Sequence, residues 1–570
     1  MKLKKADDLT KIKKEGTKLL APAKTRITVG MATCGLAKGA GKVYEALKYE
    51  LKKQKVKADL VVVGCNGLCY AEPIVEVIRS GKPRVTYGNV GMEQVNELVS
   101  SIKSGAVLKD LAVMRHDKFK TAVGNESIAY TKGKPAKAYS GIKEAQRIDF
   151  YKRQMKLVSS GAGTISPDSI EEYCALGGYQ ALANALTGMD PEAVIKEVSV
   201  SKLRGRGGAG FPTGIKWRTC RQAEDDTKYI VCNGSEGDPE IGMHRSFLES
   251  DPHLIIEGMV IAGYAVGAQE GYIYLNDKYT IALERLEGAI AQAEKRGLLG
   301  KNILGSGFSF AVKIKRGGGA YVCGEETALL NALEGSFGEP RPRPPYPAEK
   351  GLFGKPTVVN NLETLATIPV IIKKGGKWYA GIGSSSSKGT KIVALSGNVS
   401  QTCWVEVPLG TGIKDVIDTF GKGAANGKKI KAFQAGGPSG GILPAKSLKM
   451  KLDYDQLSKA GSLLGSGGLL VMDEDTDMLD MAKFFVDFFV DESCGKCSTC
   501  REGCKRLQDI LEGIMEGQGT ADHIKLIKRL DSAMSVASAC ALGKTAAVPI
   551  ISVLKHFPKE IEGRLIRRKA

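Results

Sequence analysis

Cys494, Cys497 and Cys500 recur at three-residue spacing in ESCGKCSTC, and Cys540 follows at a distance in ASACALGKTA. Three thiolates so spaced can wrap one corner of a cubane, and a remote fourth closes the tetrad, which is how proteins hold a [4Fe–4S] cluster. Structural zinc more often takes two separated Cys/His pairs than a tight triplet. Buried thiols without a metal are the third reading. Helical periodicity after Met478 puts the triplet at the start of one helix and Cys540 in the turn before another, so the fold must bring two helix ends to one point.

The chain has 570 residues, enough for three or four domains. Its 70 glycines exceed the usual share of about 7% and gather in short loops, where they let backbone approach a ligand. No apolar run reaches membrane-spanning length. The longest candidate, Leu254 to Ala268, carries Glu257 and reads as a buried helix, so no direct membrane span is expected. The Lys-rich N-terminus lacks the apolar region of a signal peptide, and thirteen cysteines grouped like ligands suit a reducing compartment. A cytoplasmic protein is therefore expected. The formal net charge is +20, but the basic residues are dispersed and not interleaved with stacking aromatics. No nucleic acid is expected as a partner; the charge suits an acidic protein partner or anionic cofactors.

The expected fold class is multidomain α/β. Residues 1–24 read as a helical, solvated leader. Residues 25–116 alternate apolar runs such as DLVVVG with helical segments, and 117–148 have little periodicity and read as a linker. Residues 149–376 form an α/β core with short apolar strands and glycine-dense turns. Residues 377–460 are strand-rich around one helix and suggest a β-grasp-like unit, and 461–570 form a C-terminal helical bundle.

Four loops stand out for binding chemistry. RGRGGAGFPTGIKW (Arg204 to Trp217) joins five glycines to Arg204, Arg206 and Lys216, so backbone N–H groups can converge on an anion whose charge the cations balance. It matches neither the GxGxxG fingerprint nor a P-loop, and a plain glycine turn is the bland alternative. CNGSEGDPEIGMHR follows an apolar strand and offers Asn233, Ser235, Glu236 and Asp238. In RGGGAYVCGEETALL, Gly324, Glu325 and Glu326 open a helix; a first-turn preference for acids competes with ligand contact there. The Pro-rich RPRPPYPAEKGLFGKPTVVNNLETL ends in the amide pair Asn360 and Asn361.

Taken together and in order, these loops resemble the flavin-containing subunit of NADH dehydrogenase in respiratory complex I. In layout the chain is similar to the diaphorase subunits of soluble NAD-linked or electron-bifurcating hydrogenases and formate dehydrogenases, over residues 150–560. The resemblance implies a Rossmann-like FMN and NAD(P) domain, preceded by a thioredoxin-like N-terminal ferredoxin domain. It implies that Gly205, Arg206, Gly207 and Lys216 cradle FMN, with Asn233, Glu236, Tyr321, Gly324, Glu325, Asn360 and Asn361 completing the site. Phe211, Glu326 and Tyr346 would line the nicotinamide site, with Arg343 nearby and Glu326 as the catalytic residue orienting the dinucleotide. Cys494, Cys497, Cys500 and Cys540 would ligate the [4Fe–4S] cluster. The implied activity is NAD(P)H:acceptor oxidoreduction, with NAD(H) or NADP(H) as substrate. The implied partners are a small thioredoxin-like [2Fe–2S] subunit and a further iron–sulfur or catalytic subunit of hydrogenase, formate dehydrogenase or other dehydrogenase type, with ferredoxin as a third. Bifurcation of electrons is an open reading of the same resemblance.

Two departures qualify it. Ser235 stands where the family's acidic loop carries Asp, and Thr219 where relatives often have an aromatic ring. These keep the alternative open of an electron-relay scaffold that no longer binds nucleotide. In the N-terminal domain the family's [2Fe–2S] site takes four cysteines. This chain supplies Cys34, Cys65 and Cys69 and lacks the fourth, so another residue ligates or the domain serves for docking.

Overall fold

The computed structural model describes residues 2–123, 126–131, 133–239 and 242–566. Its first sheet comprises β1 (Thr25–Gly30), β2 (Ala58–Val63), β3 (Val75–Ile78), β4 (Arg84–Tyr87) and β5 (Ala112–His116), in the order β2-β1-β3-β4-β5. β1 and β2 are parallel, and the other pairs antiparallel. Ala40, Val43, Leu47 and Leu51 form the buried stripe of helix Ala40–Lys53, the three-and-four spacing of a helix that covers a sheet.

The N-terminal segment departs from expectation. Helix Leu9–Leu20 is not solvated: Leu9, Ile12 and Leu20, with Leu3 before it, are buried against helix Ile170–Ala175. Gly16 permits the contact, because a Cβ there would lie 1.8 Å from the carbonyl oxygen of Glu171. The segment expected as a linker also has structure. It carries the hairpin β6 (Lys118–Lys120) and β7 (Ser127–Ala129) and buries Val123, Ile128, Tyr130, Tyr139 and Ile142, so it is a strap laid across the core.

The second sheet is wholly parallel: β8 (Tyr229–Gly234), β9 (Glu270–Asn276), β10 (Ala311–Gly317) and β11 (Thr357–Asn361), ordered β10-β9-β8-β11. Beside it lies helix Pro252–Val266, buried at every position but Tyr264, as its apolar run implies. Its one carboxylate, Glu257, accepts from the Tyr173 hydroxyl and from the backbone N–H groups of Tyr179 (2.8 Å) and Leu182 (3.0 Å).

The third sheet holds β12 (Thr390–Gly397), β13 (Cys403–Pro408), β14 (Ile430–Ala435), β15 (Ile442–Pro444) and β16 (Gly468–Asp473), ordered β13-β12-β16-β14-β15. The expected boundary at 460/461 is corrected here. β16 is the central strand, parallel to β12 and antiparallel to β14, so the unit runs to Asp473. Helices Met478–Glu492, Ser498–Met515, Ala521–Ala537 and Val548–His556 follow.

Buried polar pairs lock these units together. Arg26 in β1 forks onto Glu172 at 2.6 and 2.9 Å. Glu249 accepts from the Thr33 hydroxyl at 2.6 Å, and Glu406 in β13 from the backbone N–H of Ser159 at 2.9 Å. Paired and hydrogen-bonded, such groups escape the penalty of an unsatisfied buried charge.

Candidate functional site

In the order β10-β9-β8-β11 the chain steps outward on one side of β8 and then returns to its other side, which makes β8/β11 the topological switch point where open α/β sheets bind ligands. The C-terminal residues of these two strands are register partners, Asn233 opposite Asn361 and Cys232 opposite Asn360. Asn233 donates to the carbonyl oxygen of Gly324 (3.0 Å) and accepts from the Ser235 hydroxyl (2.8 Å). Asn360 accepts from the indole N–H of buried Trp217 at 2.8 Å. Asn361 caps helix Leu362–Lys374 by accepting from Glu363 N–H at 2.9 Å.

The first glycine loop closes over this crevice. The backbone N–H of Gly205 bonds the Phe211 carbonyl at 2.9 Å, and that of Thr213 bonds the Leu203 carbonyl at 2.9 Å. Gly208 and Gly210 have φ of +120° and +64°, a region that favours glycine. A Cβ on Gly207 would stand 3.2 Å from that of Asn361, so the loop and β11 are in near contact. Arg206, expected at a phosphate, has its guanidinium fully buried behind the loop, donating to the Tyr379 hydroxyl (2.8 Å) and the Lys388 carbonyl (2.6 Å). Its own backbone N–H donates to Thr364 Oγ1 at 2.8 Å. Arg206 thus acts as a strut. Lys216 carries the exposed-side charge.

Lys216 Nζ lies 2.8 Å from Glu326 Oε2 and 3.0 Å from the Val359 carbonyl oxygen. The other oxygen of Glu326 meets Arg343 Nη1 at 3.3 Å. This ion chain links the first glycine loop, the acidic helix start and the Pro-rich loop. Glu325 caps helix Glu326–Leu333, with Oε2 accepting from Thr327 and Ala328 N–H at 2.9 and 2.8 Å, while its Oε1 pairs with Arg343 Nη2 at 3.6 Å. Phe211 and Tyr346 are about half exposed, at 52% and 54%. Glu236 is buried, accepts from the backbone N–H of His244 and Arg245 at 2.6 and 2.8 Å, and is pushed up to about 8 by burial. It holds its loop from beneath. Glu240 and Ile241 of that loop lie outside the described residues.

Tyr321 connects this crevice to the cysteines. Its backbone N–H donates to Glu492 Oε2 at 2.7 Å, and its ring meets Phe488 edge-on at 5.1 Å. Both partners belong to helix Met478–Glu492, which runs into the triplet. Cys494 is exposed, Cys497 precedes helix Ser498–Met515, Cys500 is buried in its first turn, and Cys540 precedes helix Ala541–Thr545. A Cβ on Gly543 would lie 2.8 Å from Cys500 Cβ, so the Cys540 turn abuts the triplet. A hydrogen bond from Cys504, 3.9 Å away, helps hold the Cys500 thiol down to about 6. Four thiols on converging helix ends suit an iron–sulfur cluster. The glycine-lined loop and the cations Lys216 and Arg343 suit a polar, anionic cofactor such as FMN.

The fold also gathers Cys34, Cys65 and Cys69, with sulfurs all within 4.8 Å of one another. Sequence reasoning missed Glu72 beside them, and missed Glu492 and Tyr379 as supports of the crevice. Only their long-range contacts mark these residues.

Residues 198–370 match the Nuo51 FMN-binding domain family, and residues 480–564 match the NADH-ubiquinone oxidoreductase-F iron-sulfur binding region. The chain is 49% identical over 418 residues to HndC, a subunit of the NADP-reducing hydrogenase of Solidesulfovibrio fructosivorans, covering 73% of this chain and 85% of that protein. It is 43% identical to the F 2 subunit of NADH-quinone oxidoreductase from Rhizobium meliloti, covering 70% and 95%. A chain of the NAD+-reducing [NiFe]-hydrogenase, in a crystal structure of its H2-reduced state, superposes with a TM-score of 0.64 at 27% identity, covering 99% of this chain and 90% of that one. The first family match spans the crevice at β8/β11 and the second the converging cysteine helices. With these relatives, they show that the chain belongs to the family of NADH-quinone oxidoreductase F subunits, with their FMN-binding domain and [4Fe–4S]-binding region.

Proposed function

We propose that this chain is the NAD(P)H-oxidising subunit of a multisubunit complex, passing electrons from a reduced nicotinamide to a partner iron–sulfur subunit. When bound, FMN would supply hydride acceptance and one-electron release, and a [4Fe–4S] cluster would supply one-electron transfer. The chain's own residues bind, orient and shield. Backbone amides of the loop from Gly207 to Gly210, with Lys216, suit an anionic phosphate, and the amides of Asn233, Asn360 and Asn361 line the switch-point crevice. Glu326, held between Lys216 and Arg343, is the group we assign to orienting the dinucleotide. The half-exposed rings of Phe211 and Tyr346 offer apolar faces for a nicotinamide or adenine. Cys494, Cys497, Cys500 and Cys540 are the proposed cluster ligands.

The observation that carries this reading is mechanical continuity. Tyr321 leaves the flavin crevice and packs on the helix that ends at Glu492, two residues before Cys494, so the two proposed cofactor sites share one wall. The accompanying domain readings are thioredoxin-like for 25–116, Rossmann-like for 149–376 and β-grasp-like from 377. The parallel order of the second sheet supports the middle one. The proposed partners are a hydrogenase or other dehydrogenase subunit, in line with the names of the relatives, and the small [2Fe–2S] subunit that the family resemblance implies. Division of the electrons between two acceptors would be a property of that assembly.

The test is anaerobic purification with partners, then stopped-flow absorbance of the flavin and iron–sulfur bands after mixing with NADH or NADPH. Rapid bleaching by one nucleotide is expected and names the donor. Flavin and cluster present but bleached by neither would overturn the reading in favour of the relay scaffold.

A further inference from the structure

Helix Ser498–Met515 carries a fifth cysteine that the tetrad of Cys494, Cys497, Cys500 and Cys540 leaves unused. Cys504 follows Cys500 by four residues, so the two lie on one helix face a turn apart. Helical side chains tilt toward the N-terminus of their helix, which carries the Cys504 thiol back over Cys500. Cys497 precedes that end of the helix, and the Cys540 turn abuts it, since a Cβ on Gly543 would lie 2.8 Å from Cys500 Cβ. The Cys500 and Cys504 sulfurs are 3.9 Å apart, within hydrogen-bond reach for sulfur.

The contact is shielded. Cys504 is 1% exposed and belongs to a core with Leu507, Leu511 and Met534. A Cβ on the neighbouring Gly503 would come within 2.5 Å of Met534 Sδ, so glycine there lets helix Ala521–Ala537 close over the turn and keep water out. Ser493 gives Cys500 a second contact at 3.3 Å, but from a half-buried loop where water has access.

Ligation fixes the direction of the bond. Between two free thiols either sulfur can donate. A metal-binding cysteine gives up its proton, so with Cys500 a ligand the donor is Cys504 and the acceptor is the ligand sulfur. Hydrogen bonds to the sulfurs are among the levers that set a cluster's reduction potential. A donor favours the reduced form, which carries one more negative charge, and favours it more strongly in a dry core than in water.

We propose that Cys504 is a positioning residue of the C-terminal centre, whose S–H donates to the Cys500 thiolate and raises the reduction potential of the cluster. The inference rests on the [4Fe–4S] reading above. No bond forms or breaks at Cys504, and its proton stays on its own sulfur through the one-electron change. Acting through Cys500, the thiol makes the centre a readier acceptor of electrons from the flavin crevice.

The test is a redox titration of the anaerobically purified holo-complex, followed by EPR of the C-terminal cluster, identified as the signal that Cys497→Ser removes. Cys504→Ala and Cys504→Val both lack the donor, and the second keeps apolar bulk. Both are expected to retain their iron and to shift the one-electron reduction equilibrium about 10-fold toward the oxidised cluster, a fall of about 59 mV. A reduced-minus-oxidised infrared spectrum of the unmodified protein should show an S–H stretching band that moves to lower frequency on reduction and is absent from both variants. An unchanged potential in both variants would overturn the proposal. So would a shift in Cys504→Ala alone, which would mark packing rather than donation, or iron loss from both, which would make Cys504 a ligand. The unmodified protein decides even where a variant does not fold, because a spectrum without an S–H difference band also overturns the bond. Absence of the C-terminal EPR signal from the unmodified protein would instead defeat the cluster reading, and this inference with it.

Discussion

At the C-terminal centre the thiols sit on the ends of separate elements, with Cys494 exposed and Cys500 and Cys540 buried on facing turns. At the N-terminal centre Cys34, Cys65 and Cys69 close on one point, and among the described residues they alone form so tight a group of metal-ligating side chains. A cubane needs volume between its ligands, whereas a single ion needs them at the edges of one tetrahedron. The two ends of the chain therefore differ in what they can hold. They differ in support as well: the C-terminal thiols rest on helix termini, the N-terminal ones on loops pinned by buried carboxylates.

The largest effects should come from breaking each centre in turn. Cys497→Ser is expected to remove the C-terminal iron and abolish electron delivery to an iron–sulfur partner. NAD(P)H bleaching of bound flavin should survive, because the crevice at β8/β11 is untouched. Cys65→Ser is expected to do the reverse, keeping the C-terminal iron while loosening the N-terminal domain, seen as faster proteolysis between β1 and β5. Iron content, acceptor reduction and limited proteolysis measured on both variants would expose the contrast as wrong if the two losses did not separate.

How legible each centre is in the sequence follows the same division. Cys494, Cys497 and Cys500 announce themselves because all three lie in one segment, and a local spacing is enough. Glu72 does not, since its place beside Cys34 depends on a contact across 38 residues of chain. The glycine loop and the buried helix Pro252–Val266 are readable from composition and pattern. The N-terminal helix misleads because its lysines occupy one face while Leu9, Ile12 and Leu20 occupy the other; an amphipathic stripe does not say whether a partner surface exists. β16 falls past the expected boundary because helical sequence begins soon after it, and only its pairing with β12 and β14 shows where it belongs. Arg206 has the right type and place for a phosphate ligand, but Tyr379 and Lys388, far along the chain, claim its guanidinium.

The support of the N-terminal centre can be tested without touching a thiol. Arg84 is buried against Glu76 at 2.6 Å, and Glu76 also accepts from the Thr86 hydroxyl at 2.7 Å. Arg84→Met leaves that carboxylate uncompensated and should destabilise the N-terminal domain by about 3–5 kcal/mol, while the double change with Glu76→Met should recover much of the loss. Urea unfolding followed by hydrogen exchange of β3 and β4 reports it. Equal damage to the helices around Cys500 would mean that the two ends are not independently supported.

A smaller effect concerns pH. Asp251, next to the Ser250 that bonds Cys65, has its carboxyl pushed up to about 8 by burial, with the neighbouring Glu257 charge adding to the rise. Its Oδ1 has no hydrogen-bond partner. The sign follows from proton counting: below the ordinary Asp range both states hold the proton. From about pH 4 to about pH 8 the folded chain keeps a proton that the unfolded chain has released, so this group's contribution to stability falls as pH rises and levels off above about 8. Asp251→Asn should flatten that slope and raise stability at pH 8 by an amount on the order of a few kcal/mol. Thermal unfolding at pH 5 and pH 8 compares the two; an unchanged slope would show that Asp251 is ionised in the fold.

The finest test asks whether the C-terminal centre relies on anything beyond spacing. Ser493 Oγ lies 3.3 Å from Cys500 Sγ and accepts from Gly495 N–H at 3.3 Å, so one hydroxyl ties the loop of Cys494 to the first turn of the next helix. Outer contacts of this kind are worth roughly 10–100-fold in metal retention. Because Cys494 is exposed, Ser493→Ala should fall at the lower end, with iron lost about 10-fold faster to a chelator. The Cys34, Cys65 and Cys69 group should be unaffected, since the Gly67 N–H that contacts Cys65 belongs to another domain. If iron leaves no faster, the cluster is held by the cysteine pattern alone, and the C-terminal end is simpler than its packing implies.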